Sequence, residues 1–306
     1  MIEFIFIIMT YAITIDGTAG SGKSTLARNL QKKLNGFVLV DTGAYYRWAT
    51  YWCLQNKIDI TKETKVFRAV KDELDLMFIP YPKGHKYYSA KIMHDGQEIN
   101  KRIFTTEIDK NVSVVAQYWK VRNIVRKNIT DLAKKFNIIV AGRDIGTEVL
   151  PKAEVKLFLN PSIDARARRR YRDKVKQGHN ISYGETKSDM HQRDEMDKNR
   201  QHGPLRKPDD AYEIDNTFMT SAQCLQEVLK LIKKNEPDIL ELEKLDWKKI
   251  TNADKKESFQ NTMEVQQPKI LSVTNNDKIT TKESLTELKK RLKAKYKESQ
   301  ENGTNF

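Results

Sequence analysis

Cysteine and histidine are scarce in this chain. Its 306 residues include two cysteines, Cys53 and Cys224, and five histidines, none at the spacing of metal ligands. Two cysteines cannot build the disulfide framework of a small secreted domain. We therefore expect two buried thiols in a reducing compartment, the cytoplasm, and no structural zinc site.

A long apolar run is also lacking. The apolar stretch at the start, residues 1–9, is too short to span a bilayer, has no basic segment before it and is followed by no small-residue cleavage site. We interpret residues 1–8 as an extension of the first strand or as residues that precede a true start at Met9. The sequence therefore predicts no membrane partner.

Acidic residues are outnumbered, and the net charge of the chain is +14. Residues 236–306 contain 14 Lys+Arg and 13 Asp+Glu, so the basic excess lies in residues 1–235. Basic charge there could serve nucleic acid or the phosphates of a nucleotide. The sequence has neither an aromatic-interleaved platform nor a helix-turn-helix signal, which favours the nucleotide.

What the sequence does contain is a phosphate loop. Residues 11–15 have the pattern of a buried strand, and residues 17–24 fit G-x-x-x-x-G-K-[ST] at every fixed position. A helix is predicted from Ser24 to Leu34, so that loop N–H groups and the positive helix end converge on one point. Lys23 adds a charge for the β- and γ-phosphates, and the hydroxyl of Ser24 can ligate Mg²⁺. The chain is therefore predicted to bind a nucleoside triphosphate through Gly17, Thr18, Ala19, Gly20, Ser21, Gly22, Lys23, Ser24 and Thr25.

The rest of the first 235 residues alternates between strand and helix patterns, as in a doubly wound α/β fold. Buried strands are predicted over 36–41, 137–141, 154–160 and 211–215. Helices are predicted over 42–54, 61–77, 105–118, 121–136 and 221–233, with one more after Ser162 and another that holds Arg193 to Arg200.

Two stretches break this alternation. Within residues 78–101, a strand over 87–93, an Asp95-Gly96 turn and a return strand to Ile99 predict a small antiparallel lobe on the substrate side. From residue 236 onward the chain is polar, and we expect a disordered extension with a possible short helix over 284–297.

Four segments, in this order, resemble the bacterial cytidylate kinases of the P-loop nucleoside monophosphate kinase group. They are residues 13–17 with the phosphate loop, residues 41–47, residues 142–147, and residues 193–200 with Pro204-Leu205. The resemblance covers about residues 11–234. It implies an α/β P-loop kinase with a five-stranded parallel sheet flanked by helices, an inserted antiparallel monophosphate-binding lobe and a helical lid over about 165–195.

The resemblance also implies substrates and roles. The donor would be ATP with Mg²⁺ held by Ser24 and Asp16, the acceptor would be CMP or dCMP, and the enzyme would be a cytoplasmic monomer. Lys23, Arg143, Arg193, Arg166 and Arg170 would be catalytic. The acceptor phosphate would be bound by Arg47, Arg143, Arg193 and Arg200 beside Thr42 and Tyr46, the cytosine edge by Ser113, Arg122 and Asp144, and the sugar by Asp197.

Two residues depart from the family pattern. Ala141 stands where the family usually has an acidic residue, and Phe104 stands where it has an arginine. These departures leave open a kinase for another small acceptor, such as AMP, shikimate or dephospho-coenzyme A. A P-loop protein that binds nucleic acid is the alternative from a different class, and the choice between CMP and dCMP also stays open.

Overall fold

The computed structural model describes residues 10–34, 36–79, 90–176, 178 and 180–241. The chain divides into two units, residues 1–266 and 267–306, and every described residue lies in the first. The strands of the described part are β1 (Ala12–Gly17), β2 (Phe37–Asp41), β3 (Met77–Ile79), β4 (Lys91–His94), β5 (Gln97–Glu98), β6 (Asn137–Ala141), β7 (Val155–Leu159) and β8 (Tyr212–Ile214).

The helices alternate with these strands, and a π-helical turn, Ile145–Val149, follows β6. The α-helices of the described part are α1 (Lys23–Gln31), α2 (Thr42–Gln55), α3 (Glu63–Val70), α4 (Asn100–Ile103), α5 (Thr106–Val115), α6 (Trp119–Ala133), α7 (Ile163–Lys176), α8 (Tyr183–Asn199), α9 (Ser221–Asn235) and α10 (Pro237–Glu241).

Five strands form one parallel sheet in the order β2-β6-β1-β7-β8, which confirms the predicted α/β fold. β1 is central, because Ile13 pairs with Ile139 of β6 on one side and with Val155 of β7 on the other. Ile13 and Ile15 are fully buried, as expected of a parallel strand covered on both faces. The carboxyl ends of β1, β2 and β6 therefore open onto one crevice, which is where ligands bind in such sheets.

The inserted lobe is also present, as a three-stranded antiparallel sheet in the order β3-β4-β5. Asp95 and Gly96 both have positive φ angles, 49° and 74°, as the predicted two-residue hairpin turn requires. Residues 80–89, where the predicted strand begins, lie outside the described residues.

The predicted helix over 61–77 is wrong in its extent, because α3 ends at Val70. Leu74 still donates its N–H to the carbonyl of Val70 at 2.9 Å, so its helical spacing reflects one further turn. The chain then enters β3, which the sequence analysis missed, and Phe78 packs into the core. A strand of three residues is too short to produce a readable alternation.

The core continues past the predicted domain end at residue 235. Ile239 of α10 is 0% exposed and belongs to the main hydrophobic core, as does Ile232 of α9. The boundary of the folded part is therefore at least residue 240, and the possible helix over 284–297 lies outside the described residues. Within the described part, Cys53 and Cys224 are free and buried, as predicted, and no helix is both long and apolar enough to cross a bilayer.

The buried position of Ile239 makes a prediction about truncation. A chain that ends at Lys234 should lose about 2 kcal/mol of unfolding free energy, the value of one fully buried isoleucine, and its Tm should fall by roughly 4–8 °C. A chain that ends at Glu241 keeps α10 and should melt like the full-length protein. Thermal unfolding of the three chains is the measurement, and equal melting of the two truncated chains would contradict the packing of α10.

Candidate active site

The phosphate loop joins β1 to α1, and its glycines are required by its geometry. Gly17 has a φ of +144°, and a Cβ at this position would collide with the carbonyl oxygen of Leu159. Gly22 precedes α1 with a φ of 97°, in the left-handed region that glycine occupies without strain. The loop can therefore curl tightly enough to direct its N–H groups at an anion.

Lys23 lies inside this loop. Its ammonium group donates to the carbonyl of Thr18 at 2.6 Å and to Oγ of Ser21 at 3.2 Å. Burial, together with the guanidinium of Arg143, lowers the pKa of Lys23 well below its usual value. An anion on the loop would relieve both effects, because it would give the charge a partner of opposite sign.

A buried carboxylate on α8 is attached to the loop. Asp194 accepts from the backbone N–H of Ala19 at 3.2 Å and from Arg166 at 2.5 Å. Arg166 also donates to the carbonyls of Ala19 at 3.1 Å and Pro161 at 3.2 Å. These contacts of Arg166 hold the loop between α7 and α8, and its predicted catalytic role stays a prediction.

Two oxygen ligands suited to Mg²⁺ lie at the mouth of the loop. Oγ of Ser24 donates to Asp41 at 2.8 Å, and the other oxygen of Asp41 accepts the N–H of Gly43 at the start of α2. A hydroxyl and a half-buried carboxylate are the hard oxygen ligands that Mg²⁺ takes in nucleotide sites. The donor set at this point therefore fits the ion.

Asp16, predicted as the second metal ligand, lies at the end of β1. Its two carboxylate oxygens accept the N–H groups of Ile145 at 3.0 Å and Gly146 at 2.8 Å. Burial raises the pKa of Asp16 to about 6, although these two hydrogen bonds oppose the shift. Asp16 thus ties the end of β1 to the turn after β6, and its role as a metal ligand stays a prediction. Asp41 is the carboxylate that contacts Ser24.

The acceptor side of the crevice is built from arginines and the carboxylates between them. Asp144, 5% exposed, pairs with Arg122 and with Arg200, the latter at 3.2 Å. Asp197 pairs with Arg143 at 2.8 Å and with Arg200 at 3.5 Å. Burial raises the pKa of Asp197, but the neighbouring arginines outweigh burial and hold this pKa below its usual value. Arg200 thus lies beside the residues predicted to bind base and sugar, just after α8 rather than within it as predicted.

Arg193 of α8 has a different environment. Its Nε is buried and finds no hydrogen-bond partner among the described residues. Burial, and then the neighbouring guanidinium of Arg143, lower its pKa to about 10. Arg193 stays charged at neutral pH, so the structure presents a half-buried cation with a buried, unused donor, the complement of a phosphate oxygen.

Arg47 and Arg170 share one carboxylate. Asp109 of α5 pairs with Arg47 of α2 through one oxygen and with Arg170 of α7, at 2.8 Å, through the other. The guanidinium of Arg47 also lies 4.8 Å from the ring centre of Phe104, within cation–π range. Phe104, one of the departures from the family pattern, therefore supports an arginine of the site.

Three further predicted residues are distributed around this cleft. The hydroxyl of Thr42 donates to the carbonyl of Ala141 at 3.0 Å, and the ring of Tyr46 lies 5.6 Å from the guanidinium of Arg122. Ser113 is half-buried on α5, one turn after Asp109 and so on the same face of the helix.

Comparison with known proteins identifies the family to which this chain belongs. The cytidylate kinase family matches residues 13–234. The cytidylate kinase of Bacillus licheniformis is 38% identical to this chain, over 72% of this chain and 96% of its own length. Those of Bacillus cereus and Bacillus subtilis are both 37% identical to this chain. They align over 72% and 73% of this chain and over 95% and 96% of their own lengths. The chain belongs to the cytidylate kinase family.

This cytidylate kinase family member is a phosphotransferase, and its cleft contains residues that the sequence analysis did not assign. Asp41, Asp109 and Asp194 each fix a predicted residue, and Asn216 donates to the carbonyl of Ser21 in the loop at 3.0 Å. Asp41 and Asp194 lie within the segments that carry the family resemblance, so their positions offered a signal. Asp109 and Asn216 lie outside those segments, and only the fold brings them to the site.

The position of Lys23 makes a prediction about turnover. Lys23→Ala should lower kcat roughly a hundred- to a thousand-fold, because the migrating phosphoryl group loses a fixed charge. Lys32→Ala, which removes an exposed lysine just after the same helix, is the matched control and should leave kcat unchanged. Phosphoryl transfer from ATP is measured for both variants, and a Lys23→Ala enzyme with near wild-type turnover would refute the role of the loop.

Proposed function

We propose that this enzyme transfers the γ-phosphoryl group of ATP to CMP and dCMP in a Mg²⁺-dependent reaction. The observation that carries the proposal is the buried carboxylate of Asp144 held between Arg122 and Arg200. It follows β6, the neighbour of the strand that leads into the phosphate loop. Membership of the cytidylate kinase family supports the same acceptor.

The acceptor phosphate is assigned to the guanidiniums of Arg47, Arg143, Arg193 and Arg200, beside Thr42 and Tyr46. These guanidiniums have opposite charge to the phosphate and bind its oxygens through paired N–H groups. The partnerless Nε of Arg193 supports this assignment most directly, since a phosphate oxygen would satisfy a buried donor. Asp197, paired with Arg143 and Arg200, is assigned to the sugar.

The cytosine edge is assigned to Arg122 and Asp144. Cytosine presents an exocyclic amine, which donates, and ring acceptors, which a guanidinium can reach. Each oxygen of Asp144 already accepts from an arginine, but a carboxylate has about four lone-pair sites and can take another donor. Ser113, on the α5 face that also carries Asp109, stays a prediction for this edge.

The donor is assigned to the phosphate loop, with Lys23 at the β- and γ-phosphates. Ser24 and Asp41 would hold Mg²⁺, which neutralises charge on the phosphates. The carboxylate that the family usually has at position 141 is replaced by a buried alanine, which leaves Asp41 as the carboxylate beside Ser24. Arg170 on α7 is the lid arginine that would reach the transferred group.

Transfer needs little more than this arrangement. An oxygen of the acceptor phosphate attacks the γ-phosphorus, the bond from the γ-phosphorus to the β-γ bridging oxygen breaks, and ADP leaves. The nucleophile is already anionic, so no general base is required. Arginines, loop N–H groups and Lys23 bring two anions together and stabilise the charge that spreads over the transferred group.

A coupled ADP-release assay with CMP, dCMP, UMP, AMP, shikimate and dephospho-coenzyme A tests the proposal. CMP and dCMP should be the preferred acceptors, and preference for another compound would establish the kinase alternative. The nucleic-acid alternative predicts salt-sensitive binding to DNA or RNA. The pairing of the site arginines with carboxylates argues against it.

We also propose a cytoplasmic, monomeric enzyme, which size-exclusion chromatography and cell fractionation can test.

The role of Asp144 makes a prediction about acceptor choice. UMP would place a carbonyl oxygen against the carboxylate, and buried unpaired acceptors cost about 1–3 kcal/mol, so the wild type should prefer CMP over UMP by roughly five- to a hundred-fold in kcat/KM. Asp144→Asn should narrow this ratio, mainly through loss of CMP activity, because its amide can donate to the uracil oxygen.

The control for this prediction is Asp131→Asn, which makes the same change at a residue of α6 whose side chain is 45% exposed. Its CMP-to-UMP ratio should equal that of the wild type. Specificity constants are measured for both acceptors at saturating ATP. An Asp144→Asn enzyme with an unchanged ratio would mean that Asp144 does not read the base.

A further inference from the structure

Asp109 has no role in the proposed reaction, yet it contacts two arginines from different parts of the site. It lies in α5, and its two oxygens bind arginines of different helices, Arg47 of α2 and Arg170 of α7. Arg47 belongs to the acceptor side and Arg170 to the lid. One carboxylate therefore connects the groups that handle the two substrates.

The orientation of Arg47 depends on three contacts. Nη2 donates to Asp109, Nη1 donates to the carbonyl of Ile103 at 3.2 Å, and the guanidinium plane lies against the ring of Phe104. A guanidinium has five N–H donors, so these contacts leave others for a phosphate. Asp109 supplies the only negative charge among the three contacts.

Asp109 is surrounded by positively charged arginines. Arg47 and Arg170 would repel each other at the distance that a shared carboxylate imposes, and Arg193 also acts on Asp109 electrostatically. Burial opposes ionisation of Asp109, but Arg47 and Arg170 outweigh it and hold its pKa below the usual range. Asp109 is therefore charged at neutral pH and offsets part of the repulsion.

We propose that Asp109 is a positioning residue that orients Arg47 for the acceptor phosphate and couples it to the lid arginine Arg170. This inference rests on the proposed function, because it assigns Arg47 to the acceptor phosphate. Asp109 touches neither substrate in this scheme. It acts through the two guanidiniums, so its removal affects acceptor use more than folding.

The test replaces Asp109 by Asn, which keeps the shape and removes the charge. Asp109→Asn should lower kcat/KM for CMP roughly ten- to a hundred-fold, chiefly by raising the KM for CMP, since small displacements of a binding group have effects of this size. Asp109→Glu retains the charge and should recover part of the loss. Glu107→Gln, the same charge change at an exposed residue of α5, should stay within about two-fold of the wild type.

A double-mutant cycle tests the coupling. Asp109→Asn should lower kcat/KM by a smaller factor in an Arg170→Met background than in the wild type, because one end of the bridge is already gone. Equal factors in the two backgrounds would overturn the coupling. Asp109→Asn kinetics like those of Glu107→Gln would overturn the positioning role, as would a lowered Tm with unchanged KM for CMP, which marks a purely structural residue.

The wild-type panel separates this inference from the proposed function. If the wild type does not phosphorylate CMP, the proposed function fails and the inference fails with it. If the wild type phosphorylates CMP and Asp109→Asn is kinetically unchanged, only the inference fails.

Discussion

Guanidinium groups at close range repel one another, and the cleft of this enzyme gathers seven of them: Arg47, Arg122, Arg143, Arg166, Arg170, Arg193 and Arg200. Four carboxylates lie between them, and Asp109, Asp144 and Asp197 each bind two arginines. Asp194 binds Arg166. This pairing lets the chain fold with Arg122, Arg166 and Arg200 buried and the other four arginines half-buried. It also leaves the cleft with a positive excess, which matches two anionic substrates.

The pairing links stability to function. Removing one partner of a buried ion pair leaves an uncompensated charge, and this is more costly than replacing both partners. The arginines and carboxylates of the cleft therefore form a set in which single changes are penalised beyond their direct role in binding. Arg193 stands apart, because its Nε has no partner among the described residues. When a phosphate binds, the buried Nε of Arg193 can gain the hydrogen-bond acceptor that it lacks.

Sequence reasoning recovered the features that depend on local pattern. The phosphate loop follows from residues adjacent in the chain, and the buried strands follow from short apolar runs with turn residues at their ends. It failed where the deciding contact is distant: Asp109 meets Arg47 across 62 positions and Arg170 across 61. The backbone groups that bind the two oxygens of Asp16 are also distant, 129 and 130 positions away, and no local pattern indicates these contacts. The end of α3 and the burial of Ile239 were likewise settled by packing that no local pattern records.

The hydrogen bonds of Asp16 have a consequence for how acceptor choice can change. They fasten the segment that begins at Ile145, directly after Arg143 and Asp144, to the central strand of the sheet. The backbone that presents these two side chains is thus fixed by the fold before any nucleotide binds. New acceptor preferences in this scaffold should arise by exchanging side chains on an unchanged main chain. A change in the backbone of this segment would break its hydrogen bonds to Asp16.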